Sequence, residues 1–136
     1  MEDFVNHRLL KKDTVIKRDY QLNLLAACSQ ENSLMVLPTG LGKTIVALLL
    51  TVLKLDKIPD QKVIFLAPTK PLVDQHYHSF SNLMALEPEM FACLTGSIPA
   101  NKRNGYYSES KVFFMTPQVL QNDIIKGNLS MNDVSL

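Results

Sequence analysis

Leu37-Pro38-Thr39-Gly40-Leu41-Gly42-Lys43-Thr44 lies between a short apolar run, residues 34–37, and a long one, residues 45–53. The short run is stopped by Pro38 and reads as a fully buried strand. Residues 43–55 carry no Gly or Pro and are mostly apolar, so they read as a helix buried on most sides. A glycine-containing turn from strand to helix is the setting a phosphate-binding loop requires. Gly40 and Gly42 let the backbone bend with its N–H groups inward and no side chain blocking a phosphate. The helix start near Lys43 adds the positive end of a dipole. Lys43 supplies a full charge for β- and γ-phosphates, and the Thr44 hydroxyl is placed to ligate Mg²⁺. The strict pattern G-x-x-x-x-G-K-[ST] lacks its first glycine, because Leu37 stands there.

Outward from this loop the chain alternates. Upstream, residues 1–17 read as an irregular lead-in. A helix follows from Asp19 to about Gln30, with Tyr20, Leu24, Ala27 and Cys28 at helical spacing and Leu25 widening the stripe. Downstream, residues 62–67, 90–94 and 111–115 read as strands, stopped by Pro68, Thr95-Gly96 and Thr116-Pro117. Between them, residues 71–84 show an apolar helical face that includes His76, and residues 99–107 read as a short helix. Pro117 suits the first position of another helix, which Gly127 ends. Val134-Ser135-Leu136 reads as a strand beginning. The pattern predicts an α/β fold: a parallel sheet with helices on both faces.

Composition sets limits. The 136 residues are 46% hydrophobic and 20% charged, enough for a core and too apolar for a disordered tail. The stretch up to Pro68 carries nine basic and seven acidic residues, and the remainder five and six, for a net charge of +1. Neither half is a basic arm, so nucleic acid would have to be held by placed groups rather than by bulk charge. The longest apolar stretch is about half of what spans a bilayer. Cys28 and Cys93, far apart in apolar company, read as free thiols of a reducing compartment. The expected setting is intracellular. His76 and His78 lack metal-ligand spacing. Lys102-Arg103 with Tyr106-Tyr107 reads as a solvated helix face, with contact to a nucleic-acid strand as the alternative.

The variant Pro38-Thr39-Gly40-Leu41-Gly42-Lys43-Thr44 resembles the phosphate loop of superfamily 2 helicases and translocases. Arg18-Asp19-Tyr20-Gln21 resembles their R-x-Y-Q element, in which Gln21 would read an adenine edge and Arg18 would lie against the base. Ala67-Pro68-Thr69-Lys70-Pro71-Leu72-Val73 resembles motif Ia, Thr95-Gly96-Ser97 motif Ib, and Thr116-Pro117-Gln118-Val119-Leu120 motif Ic. Each puts hydroxyls, backbone N–H groups and a helix start at the carboxyl edge of the sheet, where a nucleic-acid backbone can be held without reading its sequence. In wording the chain is similar to the archaeal Hef and Fanconi-anaemia-M family, over nearly its whole length.

That resemblance implies a RecA-like P-loop NTPase domain over residues 18–136. It implies ATP and Mg²⁺ held by Arg18, Gln21, Pro38, Thr39, Gly40, Leu41, Gly42, Lys43 and Thr44, with Lys43 and Thr44 the catalytic pair. It implies forked or branched DNA, held through the strand backbone by Pro68, Thr69, Lys70, Thr95, Gly96, Thr116, Pro117 and Gln118. The cell compartment would be cytoplasmic for an archaeal protein and nuclear for a eukaryotic one. Double-stranded RNA as the track, as in Dicer, and a non-hydrolysing nucleotide-binding module are the alternatives. The D-E-x-H tetrapeptide that holds the metal and the attacking water in such motors is absent, as the chain has no Asp-Glu dipeptide. The expectation is therefore a domain truncated just before that strand, lacking the rest of the helicase core and inactive alone.

Overall fold

The computed structural model describes residues 2–38 and 40–136. Among the described residues five α-helices and three strands follow one another as α1 (Asp19–Cys28), α2 (Lys43–Lys57), β1 (Val63–Leu66), α3 (Lys70–Leu83), β2 (Phe91–Leu94), α4 (Ala100–Glu109), β3 (Val112–Met115) and α5 (Pro117–Ile125). The strands are parallel, in the order β1-β3-β2. Parallel neighbours need a crossover, and α3 and α4 provide the covering helices. Residues 133–136 begin a further parallel rung beside β1: Lys62 N–H donates to the Asp133 carbonyl at 2.8 Å and Ile64 N–H to the Leu136 carbonyl at 2.9 Å.

Side chains alternate across a strand, and here the alternation builds two cores. Val112 and Phe114 of β3 face α2, α3 and the lead-in, packing with Leu48, Val52, Val73 and Phe80. Phe113 and Met115 face the other way, toward Tyr107 of α4 and Val119 of α5. All four β3 side chains are completely buried, which explains the unbroken apolar run in its sequence. The α/β reading with helices on both faces holds.

Residues 2–17 are irregular but not loose. Val5 N–H donates to the Val15 carbonyl and Lys11 N–H to the Leu83 carbonyl, both at 2.8 Å. Leu9, Leu10 and Val15 enter the first core, and Arg8 grips Asp56 at the end of α2 through both Nε and Nη2. The core-facing side of α1 is Gln21, Leu22 and Leu25; of the stripe expected through Tyr20, Leu24, Ala27 and Cys28 with Leu25, Leu25 packs on the core, Leu24 and Cys28 are half-buried, and Tyr20 and Ala27 are exposed.

One expected element does not form. Residues 34–37 are not a buried strand: Leu34 is 91% exposed and Val36 81% exposed. A strand exists only as part of a hydrogen-bonded ladder, and among the described residues none pairs with this segment. The free edge of β1 is taken by residues 133–136 instead. Met35 and Leu136 line one cavity of about 320 Å³ with Cys28, Val46, Ala47 and Leu50, so the segment lies next to the sheet edge without joining it.

Candidate functional site

Gly40 and Gly42 both adopt left-handed backbone, with φ of +86° and +74°, and Gly42 is the residue from which α2 springs. Thr39, assigned to the nucleotide by its motif, lies outside the described residues. Leu41 N–H donates to the Pro38 carbonyl at 3.4 Å, closing the turn, and Ile45 N–H donates to the Gly42 carbonyl at 3.1 Å, starting the helix. Lys43 is exposed, and among the described residues no carboxylate pairs with it. Thr44, in the first turn of α2, is half-buried. Pro38, Gly40 and Leu41 are exposed around the bend.

Helix α1 backs the loop. Gln21, only 4% exposed, donates from Nε2 to the Leu41 carbonyl at 3.4 Å and the Gly42 carbonyl at 3.3 Å. Arg18, the residue before α1, shares with Gln21 a cavity of about 190 Å³ completed by Thr14, Val15, Ile16 and Ile45. The arrangement brings Arg18 and Gln21 together beside the loop and turns the donor of Gln21 to the loop carbonyls, a contact that the sequence did not disclose.

A Cβ on Gly42 would run into Gln21 Nε2, whereas one on Gly40 would meet nothing. Both positions carry the left-handed strain, about 1–2 kcal/mol for a residue with a side chain. Gly42→Ala is therefore expected to cost that much and to displace the Gln21 amide, while Gly40→Ala costs the strain alone. Urea unfolding of both variants, each combined with Gln21→Ala, checks this: Gln21→Ala should relieve only the Gly42 variant.

The three turns after the strands share one edge. Leu66 and Leu94 are both level with Met115, so Pro68-Thr69-Lys70, Thr95-Gly96 and Thr116-Pro117-Gln118 leave the sheet side by side. Thr69 and Thr116 precede α3 and α5 with extended backbone, and neither hydroxyl caps its own helix. Thr69, Lys70, Gly96, Pro117 and Gln118 are exposed. Thr95 is buried, and its hydroxyl is engaged by that of Ser97 at 2.8 Å, so exposure in this turn belongs to Gly96 and Ser97.

The solvated-face reading of α4 needs correction. Lys102 and Tyr106 do face water, but Arg103 and Tyr107 turn inward. Arg103 forms a two-pronged pair with Asp123 of α5, Nε to Oδ2 at 2.8 Å and Nη2 to Oδ1 at 2.7 Å. Its Nη1 donates to the Ile98 carbonyl at 2.7 Å, and the Tyr107 hydroxyl donates to Asp123 Oδ2. Burial alone would push the Asp123 carboxyl up; the hydrogen bonds from Arg103 and Tyr107 outweigh it and hold the group below the usual carboxylate range. Burial, helped by Asp123, pushes the Tyr107 phenol up.

Elsewhere, Cys28 and Cys93 are free thiols. Burial and a hydrogen bond to Asp74 push Cys93 up to about 12, which leaves it an unreactive protonated thiol. His76 packs its ring 4.6 Å from that of Phe65, and burial lowers its pKa. Among the described residues no group of three or more His, Cys, Asp or Glu could hold a metal. Among the described residues no helix is long and apolar enough to cross a membrane.

The model of the DEAD/DEAH box helicase family matches residues 18–136. A Methanocaldococcus jannaschii protein provisionally named an ATP-dependent RNA helicase is 40% identical over 98% of this chain and 17% of its own length. The ATP-dependent DNA helicase fml1 of Schizosaccharomyces pombe is 42% identical over 81% of this chain and 13% of its own. Among solved structures, the Pyrococcus furiosus Hef helicase domain superposes with a TM-score of 0.87 at 42% identity, over 93% of this chain and 26% of that one. The chain therefore spans less than a fifth of these two relatives and about a quarter of the Hef domain. The resemblance expected from the motifs, and the RecA-like fold with it, is met.

Proposed function

The chain belongs to the DEAD/DEAH box helicase family, and from that premise we propose that it supplies the nucleotide-binding part of an ATP-dependent DNA helicase or translocase acting on forked or branched DNA in replication-fork repair. The observation that carries the reading is the common edge, where three strand-ending turns present uncapped threonines, Lys70 and Gly96 side by side. Such a surface suits a sugar-phosphate backbone, which can be held without reading bases. Lys43 and the loop N–H groups would hold the phosphates of ATP, Thr44 the Mg²⁺, and Arg18 with Gln21 the adenine. ATP with Mg²⁺ would supply the free energy that moves the protein along its track. No Asp-Glu pair is present to position the attacking water, so these residues alone are expected to bind nucleotide without turnover.

The choice of DNA follows the yeast relative named a DNA helicase, and the archaeal relative named an RNA helicase supports a second reading with duplex RNA as the track. Fluorescence anisotropy with a labelled DNA fork and a duplex RNA of equal length separates the two. The fork is expected to bind more tightly, and Lys70→Ala to weaken it and lower the salt slope by about one. Preference for duplex RNA would establish the second reading. Absence of any salt-dependent binding would remove the edge from the nucleic-acid interface.

A further inference from the structure

The Tyr20 hydroxyl donates to the Leu41 carbonyl at 2.9 Å, a shorter contact than the 3.4 Å that Gln21 Nε2 makes to the same oxygen. Among the described residues no backbone N–H reaches that carbonyl. Its orientation is therefore set from α1, by one phenol and one amide on adjacent residues. A trans peptide is planar, with C=O and N–H pointing in opposite directions, and among the described residues no peptide is cis. The N–H partnered with the Leu41 carbonyl in one peptide plane is that of Gly42. Holding the carbonyl toward α1 consequently turns the Gly42 N–H to the opposite side of the loop. Gly42 adds no side chain that would resist the rotation, and its left-handed φ of +74° leaves that peptide free of the usual helical constraints.

We propose that Tyr20 is a positioning residue for phosphate: by holding the Leu41 carbonyl, its hydroxyl keeps the Gly42 N–H aimed into the phosphate cradle. The inference rests on the reading of this loop as a phosphate site. Its logic is that of a preorganised donor, fixed before the ligand arrives so that binding need not reorient the peptide. Tyr20 is 38% exposed and belongs to neither core. Removing the hydroxyl should therefore alter the loop without altering the fold.

Tyr20→Phe removes that one atom. Isothermal titration of the wild-type and variant chains with inorganic tripolyphosphate measures the consequence for phosphate alone, with no base or ribose present. Affinity is expected to fall roughly three- to ten-fold, the worth of one neutral hydrogen bond, while the thermal midpoint stays where it was. In amide spectra, the Gly42 N–H resonance should shift on adding tripolyphosphate in the wild type, and shift less in the variant. Equal affinities with equal Gly42 shifts would overturn the role of Tyr20 and leave the phosphate site standing. A fall in affinity matched by a fall in the thermal midpoint would also overturn it, in favour of a merely structural bond. A wild-type chain that does not bind tripolyphosphate would overturn the phosphate site itself.

Discussion

Replacing Asp123 by Ala is expected to lower the unfolding free energy by about 3–5 kcal/mol, the cost of stranding a buried charge. Asp123 is 0% exposed and Arg103 5% exposed, so water cannot replace the lost carboxylate. The Ile98 carbonyl would remain as the partner of one guanidinium nitrogen, leaving Nε and Nη2 without acceptors. Tyr107 would lose its acceptor as well. A loss of this size is a large share of the roughly 5–15 kcal/mol that stabilises an ordinary domain. Changing both partners together, as Arg103→Met with Asp123→Leu, should cost less than the single change, because no charge is left unpaired. Urea unfolding of the three proteins is the measurement, and a single-variant loss below about 1 kcal/mol would mean that the pair is solvated.

The same pair sets a pH limit. The Asp123 pKa is lowered on folding, so its contribution is present above the unfolded carboxylate value of about 4 and is lost as pH falls through the folded value. The acid limb of wild-type unfolding should therefore be steeper than that of Asp123→Ala.

The second large effect is on ligand rather than fold. Lys43→Ala is expected to weaken ATP and tripolyphosphate binding by about ten- to a hundred-fold, the range for a charged hydrogen bond. Lys43 is exposed and unpaired with any carboxylate among the described residues, so its charge is available to a phosphate at no cost to a structural partner. For that reason its removal should leave the unfolding free energy within about 0.5 kcal/mol of wild type. Calorimetric titration together with urea unfolding tests both halves. Unchanged affinity would place the phosphates elsewhere, and a marked loss of stability would show that Lys43 serves the fold.

What the sequence discloses follows the range over which each feature is determined. The glycine turn and helix start proposed for phosphate are legible because Gly40, Gly42, Lys43 and Thr44 lie within five residues. The strands are legible from β-branched and aromatic runs that end at Thr or Pro. Residues 34–37 carry the same signal but form no ladder, since pairing depends on a neighbour and not on the run itself. Helical spacing puts Tyr20 on an apolar stripe, because spacing does not report a hydroxyl's distant acceptor. Arg103 and Asp123 are 20 residues apart on different helices, and no periodicity links them. Their signal is a charged residue whose burial only the packed helices reveal.

Strand β3 has a consequence for cooperativity. Its four side chains are divided between two cores, Phe114 on the face toward the phosphate-loop helix and Phe113 on the face toward the Arg103–Asp123 pair. The two halves of the molecule thus share a single backbone partition. A substitution that loosens one face removes support from the strand that walls the other, so damage near α5 is expected to reach α2 through the sheet.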